Sequence, residues 1–265
     1  MTIQGELSLS TIYHLDVGCA DASIITTSAC FLVDTHGIES YSHLLPANKR
    51  IRGVFITHQH RDHYSGLDYL YRNGFQIDWL IYSPYKRRRS DNSVTIEEWN
   101  EFNDFRDKFV RKGTQTRTPY RQDTFDKPFW STNGCSFEII GPHKSVADSP
   151  TRELHDACLV IKAIVNHRKC LFAGDASDEN LQKIADTTKN YCNDILHVSH
   201  HGSINGACLD FVKKCNAEYS VVSTKNGVYS NVPHPKAMQR YRNHTSKKVY
   251  RTDVDGSIKW DAKAN

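Results

Sequence analysis

No apolar run in this chain approaches the roughly 20 residues that a membrane-spanning helix needs, so no membrane span is expected. No basic segment leading into an apolar stretch opens "MTIQGELSLSTIYHLDVG", so no signal peptide is expected and the cytoplasm is the expected location. No C-x-x-C pair occurs among the eight cysteines, which argues against a zinc ribbon. The cysteines are scattered, several in apolar runs such as "ACLVIKAIV" and "HRKCLFAGD". Buried, reduced thiols acting as small hydrophobes are therefore expected rather than disulfides. Repeats of fixed period and low-complexity linkers are also missing, and so is a strong charge imbalance, the formal net charge being +4 with histidine neutral. With 38% hydrophobic and 24% charged residues, the composition is that of an ordinary folded protein rather than a disordered one.

The 265 residues suffice for one large domain or two small ones. The reading adopted is a single domain over residues 1–265, with a basic and aromatic insertion at about 85–130 lying over the main fold. Short β-branched and aromatic runs, such as "ASIITTSACFLVD" and "IRGVFITH", read as strands. Polar stretches between them read as helices, most clearly "SVTIEEWNEFNDFRDKFVRKG". There Ile96, Trp99, Phe102, Phe105 and Phe109 form a packing stripe that Gly113 closes. Strands in both halves with helices between them fit two sheets with helices outside. Cations cluster at Lys49, Arg50 and Arg52, at Lys86, Arg87, Arg88 and Arg89, and at Arg111, Lys112, Arg117 and Arg121. Such clusters suit a polyanionic partner or form a solvated surface.

The stretch "ITHQHRDHYSGL" places three histidines and an aspartate within six positions, just past the buried-strand pattern "GVFIT". Imidazole nitrogen and carboxylate oxygen are the donors zinc prefers, and four in a tight loop can reach two neighbouring ions. H-x-H-x-D-H at a strand exit, read as His58, His60, Asp62 and His63, is too dense for an ordinary surface loop.

This motif resembles that of the metallo-β-lactamase superfamily. Later segments fit the same pattern in order: "ELHDACLVI" with His155, "CLFAGDAS" with Asp175, and "ILHVSHHGS" with His200 and His201. "HLDVGCADASI", "FLVDTHG", "NVPHP" and "VYRTDVDGSIKW" narrow the resemblance to the ComEC type, the soluble metallo-β-lactamase domain of DNA-uptake channels. It covers about Tyr13 to Trp260, with Cys19 and Ala20 standing where that group usually has Gln-Gly.

The resemblance implies an α/β fold, the metallo-β-lactamase αββα sandwich of two mixed sheets flanked by helices. It also implies two divalent ions, Zn2+ foremost and Mn2+ as the alternative. His58 and His60 would hold one, with a third ligand from His155, Asp156 or water, and His143 as a weaker candidate. Asp62, His63 and His200 would hold the other, and Asp175 would bridge them. His201, Asp21 and Asp34 are second-rank or supporting candidates. Asp62 and His234 are the candidate catalytic groups, whereas His14 and His36 read as polar packing.

The expected activity is a metal-dependent phosphodiesterase or nuclease acting on nucleic acid or a nucleotide. Lys86, Arg87, Arg88, Arg89 and Asn231 are its candidate phosphate contacts, and Trp99, Tyr120, Phe129 and Trp130 could stack on bases. Two alternatives remain open at this level: a small-molecule ester hydrolase of the phosphorylcholine esterase or lactonase kind, and a non-catalytic metal-binding module in a defence or regulatory complex.

Overall fold

The computed structural model describes residues 10–121, 132, 134–192 and 194–262. The strands, in chain order, are β1 (Ser10–His14), β2 (Ala22–Thr26), β3 (Cys30–Thr35), β4 (Arg50–Ile56), β5 (Gln76–Tyr82), β6 (Gln115–Arg117), β7 (Cys135–Gly141), β8 (Val160–Val165), β9 (Arg168–Phe172), β10 (Ile195–His197), β11 (Tyr219–Val222), β12 (Lys248–Arg251) and β13 (Ile258–Ala262). They form two sheets, ordered β13-β1-β2-β3-β4-β5-β6 and β12-β11-β10-β9-β8-β7. Both are mixed. The first is antiparallel from β13 to β3 and parallel from β3 to β6; the second is antiparallel at β7, β8 and β9 and parallel onward to β12.

Strand side chains alternate between faces, so each sheet can bury both. Between the sheets, Phe31 and Phe55 of the first meet Phe137 of the second at ring separations of 4.8 and 4.6 Å. Each of these fully buried rings contributes roughly 1.5–3 kcal/mol of burial free energy. Outside the first sheet, Leu67 and Leu70 of helix Gly66–Arg72 and Phe102, Phe105 and Phe109 of helix Ile96–Arg111 cover Leu32, Val54 and Leu80. Outside the second, helices Asp178–Thr187, Leu209–Cys215 and Pro235–His244 lay Leu181, Ile184, Phe211, Met238 and Tyr241 over Leu171, Leu196 and Val222. The layers are helix, sheet, sheet, helix: the αββα sandwich expected from the sequence. No helix among the described residues is long and apolar enough to cross a membrane.

Three readings change. First, much of the segment read as an overlying insertion is built into the first sheet and its helical layer. Helix Ile96–Arg111 starts on a capping box between Thr95 and Glu98, and β6 pairs with β5 as the edge strand. The apolar stripe also omits Ile96, which is 61% exposed because it is the first helical residue and turns off the packed face.

Second, two of the four aromatics expected to stack on bases are packing residues. Trp99 and Tyr120 lie against a cluster of Tyr85, Val94, Ala147, Leu154 and Ala157, while Phe129 and Trp130 fall outside the described residues. Third, Cys192 and Cys215 are joined as a disulfide, where reduced thiols were expected. Tyr191 stacks on Phe211 at 5.1 Å and brings the two segments together. Cys19, Cys30, Cys135, Cys158, Cys170 and Cys208 are free and buried.

Gly66 fixes where the histidine-rich loop sits. A Cβ there would lie 1.8 Å from the Thr35 carbonyl oxygen at the end of β3. Gly66→Ala is therefore expected to push the loop's helix off the sheet and destabilise the fold by about 3 kcal/mol, near the upper end of ordinary overpacking costs. The check is a urea midpoint that falls with an unchanged slope.

Candidate metal centre

The candidate ligands leave the sheets at one edge. His58, His60, Asp62 and His63 follow β4, Asp175 follows β9, and His200 and His201 follow β10. His155 lies in the short 3-10 turn Leu154–Ala157 ahead of β8. Because β9 and β10 are parallel neighbours, their exits fall side by side. Gly174 lets the β9 exit lie against the β4 exit of the other sheet: a Cβ there would come within 2.6 Å of Thr57 Cβ and 2.7 Å of Cys158 Sγ. The pair His200–His201 turns through two successive left-handed residues, at φ 53° and 52°. Such a conformation is costly for side chains other than glycine. It is held by His200 N–H donating to the Gly174 carbonyl and Ser203 N–H donating to the His200 carbonyl.

Hydrogen bonds fix which nitrogen of three of the rings faces inward. His63 Nδ1–H donates to Asp34 Oδ2 at 2.9 Å, and His201 Nδ1–H donates to the Ser223 carbonyl at 3.0 Å. His60 Nε2–H donates to the Ser93 carbonyl at 2.6 Å, leaving Nδ1 to face His58 Nε2 at 3.0 Å. These outer partners set the tautomers that direct lone pairs to the centre. The inner atoms gather into two neighbouring groups, His58, His60 and His155, and Asp62, His63 and His201; within each, the ligand atoms all lie within 4.8 Å of one another. Asp175 lies between the groups. Its Oδ2 is 3.8 Å from His58 Nε2 and 3.7 Å from His201 Nε2, and its Oδ1 is 3.5 Å from His63 Nε2. Asp62 Oδ2 is 3.6 Å from His201 Nε2.

His200 was expected beside Asp62 and His63, and the grouping differs by one residue. His201, rather than His200, joins Asp62 and His63; its side chain is 4% exposed, whereas that of His200 is 27% exposed and groups with His155 and Asp175. The left-handed turn inverts which ring points inward. Asp156, the alternative third ligand, instead accepts from Ser177 Oγ–H and Glu153 N–H and braces the turn that carries His155. His143 caps a short helix, its Nδ1 3.0 Å from Ser145 Oγ. His234 Nδ1 accepts the Lys236 N–H, capping helix Pro235–His244, and the His234 backbone N–H donates to the Gly202 carbonyl, beside the histidine turn. Asn231 is exposed, at φ 62°.

The basic run divides. Arg87 donates to the carbonyls of Val94 and Asp91, and Arg88 to those of Pro150 and Arg152, so both brace their loop, while Lys86 and Arg89 are exposed. Arg50 and Arg52 pair with Asp78. His36 meets Ser65 Oγ at 2.9 Å. His14 is buried, its Nδ1 3.0 Å from His197 Nδ1, and His197 Nε2 lies 3.1 Å from Asp21 Oδ1. Reading the sequence missed His197, Ser93 and Ser223. The last two act through backbone carbonyls, which leave no mark in a sequence.

The electrostatics are those of a cation site. Burial acts to raise Asp175, but His201, His200 and His63 outweigh it and hold the carboxylate well below the usual range. Burial likewise opposes ionisation of Asp21, which His197, His201 and His63 pull down to about 2. Burial lowers His155 to about 3 and His58 well below the ordinary value, so both rings are neutral at pH 7 and can donate lone pairs. Against the same penalty, Asp175, Asp21 and Asp62 push His201 up to about 10. The residues fit divalent metal on a second count: His63 Nε2, His155 Nε2, His201 Nε2 and Asp175 Oδ1 are buried without a hydrogen-bond partner, all facing this centre. Buried polar atoms in that state are rare and call for a ligand.

Asp34 supports His63 and takes the Thr57 N–H and Oγ–H, each at 2.8 Å. In Asp34→Asn one oxygen still accepts from Thr57, but the amide cannot hold the His63 tautomer. The expected result is a 10–100-fold weaker second ion, on the order found for such outer partners, read by competition with a chromophoric chelator.

A sandwich with these donors at its edge defines a fold and centre of the metallohydrolase type. The chain belongs to the metallo-beta-lactamase superfamily, whose family model matches residues 20–222. No curated protein matches it by sequence. Among solved structures it is similar to the metallo-beta-lactamase fold protein YhfI from Bacillus subtilis (11% identity, 96% of this chain and 100% of that one, TM-score 0.55). It is also similar to the CmlA beta-hydroxylase E377D mutant (11% identity, 96% and 54%, TM-score 0.58). Human tRNase Z, short form, shares 14% identity over 94% of this chain and 98% of that one, at a TM-score of 0.50. At these identities the likeness is one of fold.

Proposed function

We propose that this chain is a two-metal phosphodiesterase that cleaves nucleic acid. The observation that carries the reading is Asp175, a buried carboxylate flanked by two groups of three ligand atoms. In this reading His58 Nε2, His60 Nδ1 and His155 Nε2 would hold one ion, Asp62, His63 and His201 would hold the other, and Asp175 would serve both. Two divalent ions so held would supply Lewis acidity to a phosphoryl oxygen and lower the pKa of an attacking water. Histidine and carboxylate donors suit zinc, with manganese as the alternative.

The protein's own groups do the rest. Asp62 is the more open carboxylate, 26% exposed against 4% for Asp175, and is placed to take a proton from the attacking water. His200 stands at the open side of the His155 group, where it can donate to a substrate oxygen. His234, with Nδ1 occupied as an acceptor, carries its proton on Nε2 when neutral and can pass it to a leaving oxygen.

The fold serves several chemistries, as a beta-hydroxylase and a tRNase Z among its structural neighbours illustrate. Phosphodiesters are favoured by the ordered ComEC-type motifs and by the exposed Lys86 and Arg89 on the loop whose Ser93 carbonyl meets His60. The test is hydrolysis of end-labelled DNA and RNA and of bis(4-nitrophenyl) phosphate by the zinc- or manganese-loaded protein. Metal-dependent cleavage is expected. No cleavage of any of the three with either metal overturns the proposal.

A further inference from the structure

A second cationic surface lies beside the centre, on helices Leu209–Cys215 and Pro235–His244. A groove of about 410 Å³ between them is lined by Leu209, Lys213, Lys236, Gln239, Arg240 and Asn243 and by His244 at its end. The spacing explains it. Positions 236, 239, 240 and 243 recur at helical intervals and share one face, and 209 and 213 share a face of the other helix. Lys213 and Lys236 are exposed, and neither ammonium has a partner among the described residues. That sets them apart from Arg87 and Arg88, whose charges serve their own loop. Arg240 gives one N–H to the Ala207 carbonyl at 2.6 Å and keeps others for the groove.

Among the described residues, no carboxylate lines the groove. The nearby Asp210 faces Gln182 Nε2 at 3.5 Å. Arg240 bonds the carbonyl of Ala207, next in the chain to Gly206, which packs against His200, so the groove adjoins the centre. Between them is the turn Ile204–Gly206, where the Tyr241 Oη–H donates to the Gly206 carbonyl at 3.0 Å and a Cβ on Gly206 would lie 2.8 Å from His200 Cβ.

We infer that this groove binds the sugar-phosphate backbone of a polynucleotide, holding the strand that continues past the phosphate at the metal centre. The inference rests on the phosphodiesterase reading for the identity of the strand. Unpartnered cations on one rigid face, with amide side chains between them, match the charge repeat and the acceptor oxygens of phosphodiesters. An ester lacking a polymer chain would gain nothing from them.

The test compares the full-length, metal-loaded protein with its Lys213→Glu/Lys236→Glu and Lys213→Gln/Lys236→Gln variants. Binding of a fluorescein-labelled 30-nucleotide single-stranded DNA is read by stopped-flow anisotropy before turnover, over a range of salt. Turnover of bis(4-nitrophenyl) phosphate is read in parallel, and thermal melts confirm folding. The charge reversal is expected to weaken DNA binding at least about tenfold, the neutral pair less. The logarithmic salt slope should become shallower by about 1.4, two contacts at about 0.7 each for a single strand. Turnover of the small diester should be unchanged.

Unaltered DNA affinity in the charge-reversed protein overturns the groove, whatever its activity. So does an equal loss on the small diester, which would assign the lysines to the centre. Weakened binding by a protein that cleaves none of DNA, RNA and the small diester with either metal would leave the groove standing and remove the phosphodiesterase reading.

Discussion

Asp175→Asn is expected to reduce the bound metal from two ions per chain to one or none and to lower phosphodiester cleavage by at least about 10³-fold, some 4 kcal/mol of transition-state stabilisation. The side chain is nearly isosteric, so the expectation concerns chemistry rather than packing. Asp175 faces His58, His200 and His201 through one oxygen and His63 through the other. An asparagine keeps one weak oxygen donor, loses the negative charge and turns an NH2 group toward the site of a cation. It therefore removes a ligand from both groups at once. Metal analysis of the purified variant beside wild type checks the first part, and single-turnover cleavage checks the second. Two firmly held ions in Asp175→Asn would show that the carboxylate is not shared.

The next largest effect separates two adjacent histidines. His201→Ala is expected to lose one ion and about 10²-fold or more in activity, because its buried ring completes the group with Asp62 and His63. His200→Ala should retain both ions and lose roughly tenfold, the size of a positioned proton donor's contribution at the lower limit. The pair is matched in backbone conformation, both left-handed, so strain relief is similar in the two variants. Metal content then reports ligation alone. Loss of the ion in His200→Ala with retention in His201→Ala would reverse the assignment.

That pair also marks where reading the sequence ran out. The loop from His58 to His63 was legible because ligand-type residues crowd one strand exit, and Asp175 because Gly-Asp follows an apolar strand. The layers of the sandwich were legible from alternating strand and helix patterns. Which histidine of "SHHGS" points inward was not, because two consecutive left-handed residues override any rule of spacing. The brace from His14 through His197 to Asp21 joins residues 176 and 183 positions apart, and no local pattern predicts such contacts.

Charge was misleading in a different way. "YKRRRS" looked like a phosphate track, yet two of its arginines hold carbonyls of their own surroundings. The groove lysines, Lys213 and Lys236, lie 23 residues apart in sequence and attracted no notice until two helices put them on one face. Composition counts charges, whereas folding decides which remain free.

The central claim is a pair of metal ions about one carboxylate. Anomalous diffraction from crystals of the zinc-loaded protein tests it most directly. The account predicts two peaks per chain, one among His58, His60 and His155, the other among Asp62, His63 and His201, with Asp175 reaching both. A single peak, or two peaks that leave Asp175 unbound, would contradict it.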